Sequence, residues 1–432
     1  MTRKLLAVLF VAAVAAAVVL IGRGRSHDYD KGHFLPADTV TPKGSKPVVR
    51  IFMENSGSMN GYVTTNSQFK NALGHLITKA DGLYSGTRLD FINQDIYHTA
   101  ICDDLDNFVL NLNPESMQVG NTSSTDINKI FRMILSHTQK DTISVLVSDC
   151  MYDVDNVGNL LSAAASSTTG TFMKAIRRAR DAKQEFAAII MQCMSEFSGN
   201  YYEGNTAISC NSQRPYYVIV VGNLEQVQDF NRRMELEDTS TGLPGLTHKF
   251  MISSEPTWML DNTTARTYCS TFTNANMIQA QHDGLNIRKI MVDHEQSNLN
   301  FAVGLGISQL FADQSYLLDK DNYAVEPSQY KVTDVNDNAK FTECDYFRHP
   351  ITVQMVALGQ NFAPQITLKL KSNIPAWVKE CSYNQRLGTL PPTHQSYAIY
   401  EMVEGIYTAF HNSKENDSRD IFHLTIHIDA YQ

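Results

Sequence analysis

The chain has 432 residues, of which 43% are hydrophobic and 19% charged, and its net charge is -9. That length accommodates two domains with well-filled cores, and the composition excludes a disordered chain. The acidic balance argues against a nucleic-acid binder, because the sole Lys/Arg cluster, Arg177, Arg178 and Arg180, reads as the solvated side of a helix.

Behind a short basic start at Arg3 and Lys4 runs LLAVLFVAAVAAAVVLIG, 18 uncharged and mostly apolar residues from Leu5 to Gly22. The run is long enough to cross a bilayer. It is long for the apolar part of a cleavable leader and ends in R-G-R rather than in a polar cleavage zone. Residues 1–25 therefore read as a signal anchor, with a signal peptide as the alternative, and the absence of a nearby cysteine argues against a lipid anchor. Arg23 and Arg25 balance the basic start, so charge does not orient the segment. Long following domains are usually translocated, which places residues 26 onward on the extracytoplasmic, periplasmic side, tethered to the membrane, or secreted if the segment is cleaved.

Residues 26–46 form a polar, Pro-containing linker. From 47 to 237 strand and helix signals alternate. Val48 to Phe52 is a compact apolar strand, and Phe69, Leu73, Leu76, Ile77 and Ala80 follow at helical spacing. R-L-D-F-I-N-Q-D-I-Y (88–97) alternates as a strand does. S-S-T-D then opens a helix whose inner face is Ile127, Ile130, Phe131, Ile134 and Leu135. Ile143 to Val147 is a continuous β-branched run of the kind covered on both faces. A helix with Phe172, Ala175, Ile176 and Ala179 inward precedes strand 186–192, a loop rich in Gly, Asn and Ser, strand 216–221 and a helix at about 223–236. The alternation predicts an α/β domain with an open, mostly parallel sheet and helices on both faces, where ligands bind at the carboxyl ends of the strands.

Residues 238–285 are Thr/Asn-rich and read as a connecting segment. From 286 to 432 the pattern changes. Ile366, Leu368 and Leu370 alternate with polar residues, as does F-H-L-T-I-H-I (422–428), so this part reads as a mainly antiparallel, β-sandwich-like C-terminal domain interrupted by one helix at about 396–410. Seven cysteines without a C-x-x-C argue against zinc and leave at least one thiol unpaired. Cys150 and Cys193 read as small core residues, whereas Cys210, Cys269, Cys344 and Cys381 can pair if the domain is exported.

Three stretches lie just past the carboxyl end of a central strand or before a helix. They are Glu54, Ser56 and Ser58 in E-N-S-G-S-M; Thr125 in G-N-T-S-S-T-D-I; and Asp149 in L-V-S-D-C. Alone, S-G-S is a turn, Thr125 a helix N-cap and Asp149 a cap. Together they offer hydroxyls and carboxylates, hard donors suited to Mg²⁺, Ca²⁺ or Mn²⁺ and poor for zinc. Other candidates are weaker: His423 and His427 are four apart on a strand, Asp293, His294 and Glu295 have no partner ligand, and no nucleophile motif occurs.

The order E-x-S-x-S after the first strand, a threonine in a later loop and an aspartate after a further strand resembles the metal-ion-dependent adhesion site of von Willebrand factor A-type (vWA) domains, whose first motif is D-x-S-x-S. The resemblance covers about 47–237. It implies a Rossmann-like fold and a divalent ion, Mg²⁺ or else Mn²⁺ or Ca²⁺, held by Glu54, Ser56, Ser58, Thr125 and Asp149. The chain departs from the family in having Glu54 for the first aspartate and Cys150 where a glycine is usual. The resemblance implies a protein-binding module, adhesive or scaffolding, in which the ion keeps an open position for an acidic side chain of a protein partner, with no catalytic residue. Two alternatives stand beside it: a metal-assisted hydrolase of phosphate or sulfate esters using Ser56 or Ser58, which lacks an adjacent histidine, and a metal-free envelope scaffold.

Overall fold

The computed structural model describes residues 33–34, 46–123, 126–151, 160–203, 206–269, 279–291, 298–307, 309–337, 351–358, 363–385, 387–414 and 420–429. Among these no helix is long and apolar enough to cross a membrane. The 1–25 segment, most of the 26–46 linker, Thr125, Cys344 and the 293–295 triplet lie outside the described residues.

The first sheet is built around β1 (Val48–Glu54), flanked in parallel by β2 (Gly86–Ile92) and by a strand at Thr142–Ser148. Helix α1 (Gln68–Leu83) crosses from β1 to β2, starting where the Ser67 side chain accepts from the Lys70 amide. A two-residue edge strand, β3 (Ile96–Tyr97), pairs antiparallel with β2. Helix α2 (Ile127–His137) is capped by Asp126, whose side chain accepts from the Asn128 amide, and it leads into β4 (Thr142–Ser148). Its buried face carries Ile127, Ile130, Phe131, Ile134 and Leu135, the set that the helical spacing predicts. Helix α3 (Leu160–Asp181) then leads into β5 (Phe186–Glu203), which turns back as β6 (Thr206–Asn223) before helix α4 (Leu224–Met234) and β7 (Leu246–Ser253).

The sheet order is β3-β2-β1-β4-β6-β5-β7. It is parallel only through β2, β1 and β4, because β6 joins β4 antiparallel and β5 and β7 extend the antiparallel half. The expectation of a mostly parallel sheet is therefore corrected to a mixed one. The cause lies in the stretch expected to be a Gly/Asn/Ser-rich loop. It is ladder, each strand of the hairpin running 18 residues. Consecutive strands joined so tightly have no room for the crossover that parallel pairing requires.

Helices cover both faces. One face packs α1 and α4 on Ile51, Met53, Val145 and Val218. The other packs α2, α3 and a late helix, α5 (Ile399–Ser413), on Phe52, Leu146, Ile190 and Tyr217. In α5, Met402, Val403, Ile406 and Phe410 are fully buried, and the Gly405 carbonyl accepts from Thr169 Oγ1 at 3.0 Å. Two assignments from the sequence change accordingly. Strand β7, from the segment read as a connector, belongs to the first sheet, and α5, read as an interruption of the C-terminal domain, covers the first domain. An amphipathic helix shows in sequence that it has an apolar face, not which core receives it.

Apart from two-residue strands at His33–Phe34, Ser382–Tyr383 and Ser396–Tyr397, the remaining strands are β8 (Trp258–Leu260), β9 (Ala265–Cys269), β10 (Gln279–Asp283), β11 (Asn286–Met291), β12 (Asn298–Leu305), β13 (Tyr323–Glu326), β14 (Tyr330–Asp337), β15 (Ile351–Leu358), β16 (Gln365–Lys371) and β17 (Asp420–Asp429). An antiparallel sheet runs β9-β12-β15-β14, and a second centres on β17, antiparallel to β16 and parallel to β8 and β11. Ile366, Leu368 and Leu370 face inward with Phe422, Leu424, Ile426 and Ile428, meeting Phe301, Val303 and Val353 from the other sheet in one core. The period-two alternation thus reports their burial correctly. His427 points to solvent, and His423 Nε2 lies 2.6 Å from Asp420 Oδ2. Cys102, Cys150, Cys193, Cys210 and Cys381 are buried free thiols.

Candidate metal centre

Because β1 and β4 are adjacent and parallel, their carboxyl ends open at the same edge of the sheet. Glu54 ends β1 with 2% of its surface exposed, and its Oε2 accepts from Ser148 Oγ at 2.8 Å. Beyond it the backbone tightens into a 3-10 turn (Gly57–Met59) and one helical turn (Asn60–Val63). This turn brings Ser56 Oγ and Ser58 Oγ within 2.9 Å of each other. Asp149, one residue past β4, accepts from the Met151 amide at 3.2 Å and lies near enough to Ser58 and Glu54 for both to act on its carboxyl. Four of the five side chains expected from the sequence thus converge at this edge: the Ser56–Ser58 hydroxyl pair, Asp149 and Glu54. The fifth, Thr125, lies outside the described residues.

Burial holds the Asp149 carboxyl above the usual carboxylate range, against the opposing pull of Ser58, the Met151 amide, the Arg214 charge and Glu54. Cys150 follows with φ 52°, the left-handed region that glycine enters without strain. Its amide donates to Ser148 Oγ at 2.8 Å, and burial pushes its thiol well above the ordinary range.

Two buried amides organise the approach of the third loop. Asn55 Nδ2 donates to the carbonyls of Met117 and Val119, both at 2.9 Å, and Asn93 Nδ2 donates to Asn55 Oδ1 at 3.1 Å and to the Val119 carbonyl at 2.8 Å. The Gly57 amide then reaches the Thr122 carbonyl at 2.9 Å, so the loop leading to Thr125 is docked beside the two serines. Sequence reasoning passed over both asparagines. The available signal was an amide one residue past the end of each of two neighbouring strands, in F-M-E-N and D-F-I-N.

The outer half of the β5–β6 hairpin extends past the sheet as an arm and packs on the serine turn. The Phe197 ring covers Gly61, where an added Cβ would come within 2.3 Å of ring carbon Cζ. Tyr62 Oη donates to the Pro215 carbonyl at 2.6 Å, Thr64 Oγ1 to the Ser198 carbonyl at 3.1 Å, and the Phe69 amide to Ser195 Oγ at 2.9 Å. Gly61→Ala is therefore expected to push Phe197 off the turn and to lower stability by about 2 kcal/mol. Urea unfolding of the single variant and of Gly61→Ala with Phe197→Leu checks this. Independent, additive losses from the two substitutions would contradict a direct clash.

At the base of the arm Arg214 is 2% exposed. Its Nη1 donates to the carbonyls of Pro391 (3.1 Å) and Pro392 (3.2 Å), its Nη2 to that of Gln395 (2.9 Å), and its guanidinium lies 4.5 Å from the Tyr201 ring centre. Tyr201 in turn shares a hydroxyl hydrogen bond with Tyr383. The segment before α5 is thereby fastened beside the centre.

The donor set suits a hard divalent cation: two carboxylates and two hydroxyls at or just past strand ends, with no sulfur or imidazole among the four. Among the described residues no three His, Cys, Asp or Glu side chains cluster as a ligand group, so an ion here would depend on the serine hydroxyls. The histidines nearest in sequence are placed elsewhere: His75 is on α1, and His98 bonds Asp90 and Asp103 at 2.9 and 2.8 Å. Comparison of the chain with models of protein families, with curated proteins and with solved structures finds no match.

Proposed function

We propose that the chain is a membrane-anchored, extracytoplasmic protein-binding module of the vWA type. In this reading Glu54, Ser56, Ser58, Thr125 and Asp149 hold a divalent cation, Mg²⁺ or else Mn²⁺ or Ca²⁺, and an acidic residue of a protein partner completes the site. The observation that supports it best is the convergence of Glu54, Ser56, Ser58 and Asp149 at one strand edge from loops about ninety residues apart. When bound, the ion supplies an electrophilic position for an incoming carboxylate. Ser56 and Ser58 contribute neutral oxygens, so they add no negative charge beyond that of the two carboxylates. Glu54 and Asp149 would hold the ion as carboxylates, so binding is expected to weaken at acid pH. The Asn55–Asn93 clamp and the arm hold the loops in register, so little ordering cost remains at the moment of binding.

The test is calorimetric titration of the full chain with Mg²⁺ and Mn²⁺, followed by partner capture from membranes with and without EDTA. Heat of binding and EDTA-sensitive capture are expected. A wild type that binds no ion, with Glu54→Asp restoring binding, would mark a centre that the longer side chain has closed and a metal-free scaffold in its place. Absence of binding in both proteins would remove the reading.

A further inference from the structure

Arg214 is a guanidinium enclosed with 2% of its surface exposed, and the acceptors it meets are neutral: the carbonyls of Pro391, Pro392 and Gln395 and the face of Tyr201. Its Nε is also buried and has no hydrogen-bond acceptor among the described residues. The residue is tied into the candidate centre, since the carbonyl of the next residue, Pro215, accepts from Tyr62, which lies on the helical turn after Ser58. Its charge is felt at both Asp149 and Tyr62.

Resting on the metal-site reading above, we propose that Arg214 makes the centre require an anion: a divalent ion and a small carboxylate bind there cooperatively, because the guanidinium leaves the ion-loaded centre with one positive charge in excess. Two carboxylates, Glu54 and Asp149, neutralise a doubly charged ion by themselves. Among the described residues the enclosed guanidinium then stands uncompensated, and an uncompensated charge in a desolvated site is strongly unfavourable. A monoanion restores neutrality and supplies an acceptor of the kind the guanidinium lacks. Without Arg214 the loaded centre would already be neutral, and an anion would add little. The partner group is thereby specified as singly charged, as the carboxylate of an acidic side chain is.

The experiment measures Mn²⁺ affinity of the full chain by calorimetry in a buffer whose other anion is a bulky sulfonate, with and without saturating acetate. Acetate is expected to tighten Mn²⁺ binding about tenfold in the wild type, and Mn²⁺ to tighten acetate by the same factor. In Arg214→Gln, Mn²⁺ alone binds tighter than in the wild type and the acetate effect disappears. Arg214→Lys, which keeps the charge while losing most of the carbonyl contacts, retains the acetate effect and so separates charge from anchoring of the 391–395 segment. A wild type that binds Mn²⁺ with no response to acetate, or an acetate effect of equal size in Arg214→Gln, overturns the role of Arg214 alone. A wild type that binds no Mn²⁺ under either condition overturns it together with the metal-site reading.

Discussion

Asp149→Asn is expected to abolish Mn²⁺ binding and, at the same time, to raise the stability of the metal-free protein at pH 7 by about 1–2 kcal/mol. Asp149 is 6% exposed, and burial holds its carboxyl above the ordinary value of 3.8. For an acid whose folded-state pKa is raised, the associated stability is complete below the unfolded value and is lost as the pH climbs through the folded one. At neutral pH the side chain is therefore a net cost to folding, one that asparagine removes while keeping an oxygen for the Met151 amide. Near pH 3.5 the acid is largely protonated in the folded state and about two-thirds so when unfolded, so most of the advantage of the variant should vanish there. Urea midpoints at the two pH values, with calorimetry for the ion, check both halves. An Asn variant less stable than wild type at pH 7 would mean that the ionised carboxylate is fully compensated in the metal-free protein.

The second large effect is expected at the junction between the first sheet and the β-rich part. Lys249 of β7 has 4% of its side chain exposed and pairs with Asp313, also 4% exposed, at 3.2 Å and with the half-exposed Glu237 at 2.5 Å. Gln228 Nε2 donates to the Gln309 carbonyl at 2.8 Å nearby, and Phe311 is buried in the core of the first domain. Lys249→Met leaves Asp313 as a buried charge without its cation, and a loss of about 3–5 kcal/mol follows. Asp313→Asn keeps the cap on the Ser315 amide and leaves Lys249 its second partner, so its cost is about 1–2 kcal/mol. The double variant should recover much of the loss seen in Lys249→Met. A double-mutant cycle by urea unfolding measures this, and the order of the two single effects reversed would show that the pair is not the principal bond across the junction.

The runs V-V-R-I-F and I-S-V-L-V are continuous and apolar, a pattern that a strand covered on both faces requires, and the positions just beyond them are fixed by chain continuity. Glu54, Ser56, Ser58 and Asp149 could therefore be placed at strand ends, and they do meet. Asn55 and Asn93 were hidden because a buried amide looks, in sequence, like the polar turn residue that asparagine more often is. The arm was hidden for a related reason. Gly, Asn and Ser between 194 and 213 report low strand propensity, yet backbone pairing with the facing strand and packing of Phe197, Tyr201 and Cys210 prevail over propensity there.

By itself the sequence determined which segments bury a face and with what period, and hence the α/β character of the first part, the antiparallel-rich character of the second and the identity of the polar groups at the ends of β1 and β4. Only the tertiary structure decided that β5 and β6 form one hairpin, that α5 covers the first sheet, and that Arg214 is enclosed by carbonyls 177 to 181 residues further along the chain. The physical reason is that burial periodicity is a property of one segment, whereas strand partnership and the enclosure of a charge depend on surfaces supplied by segments remote in the chain.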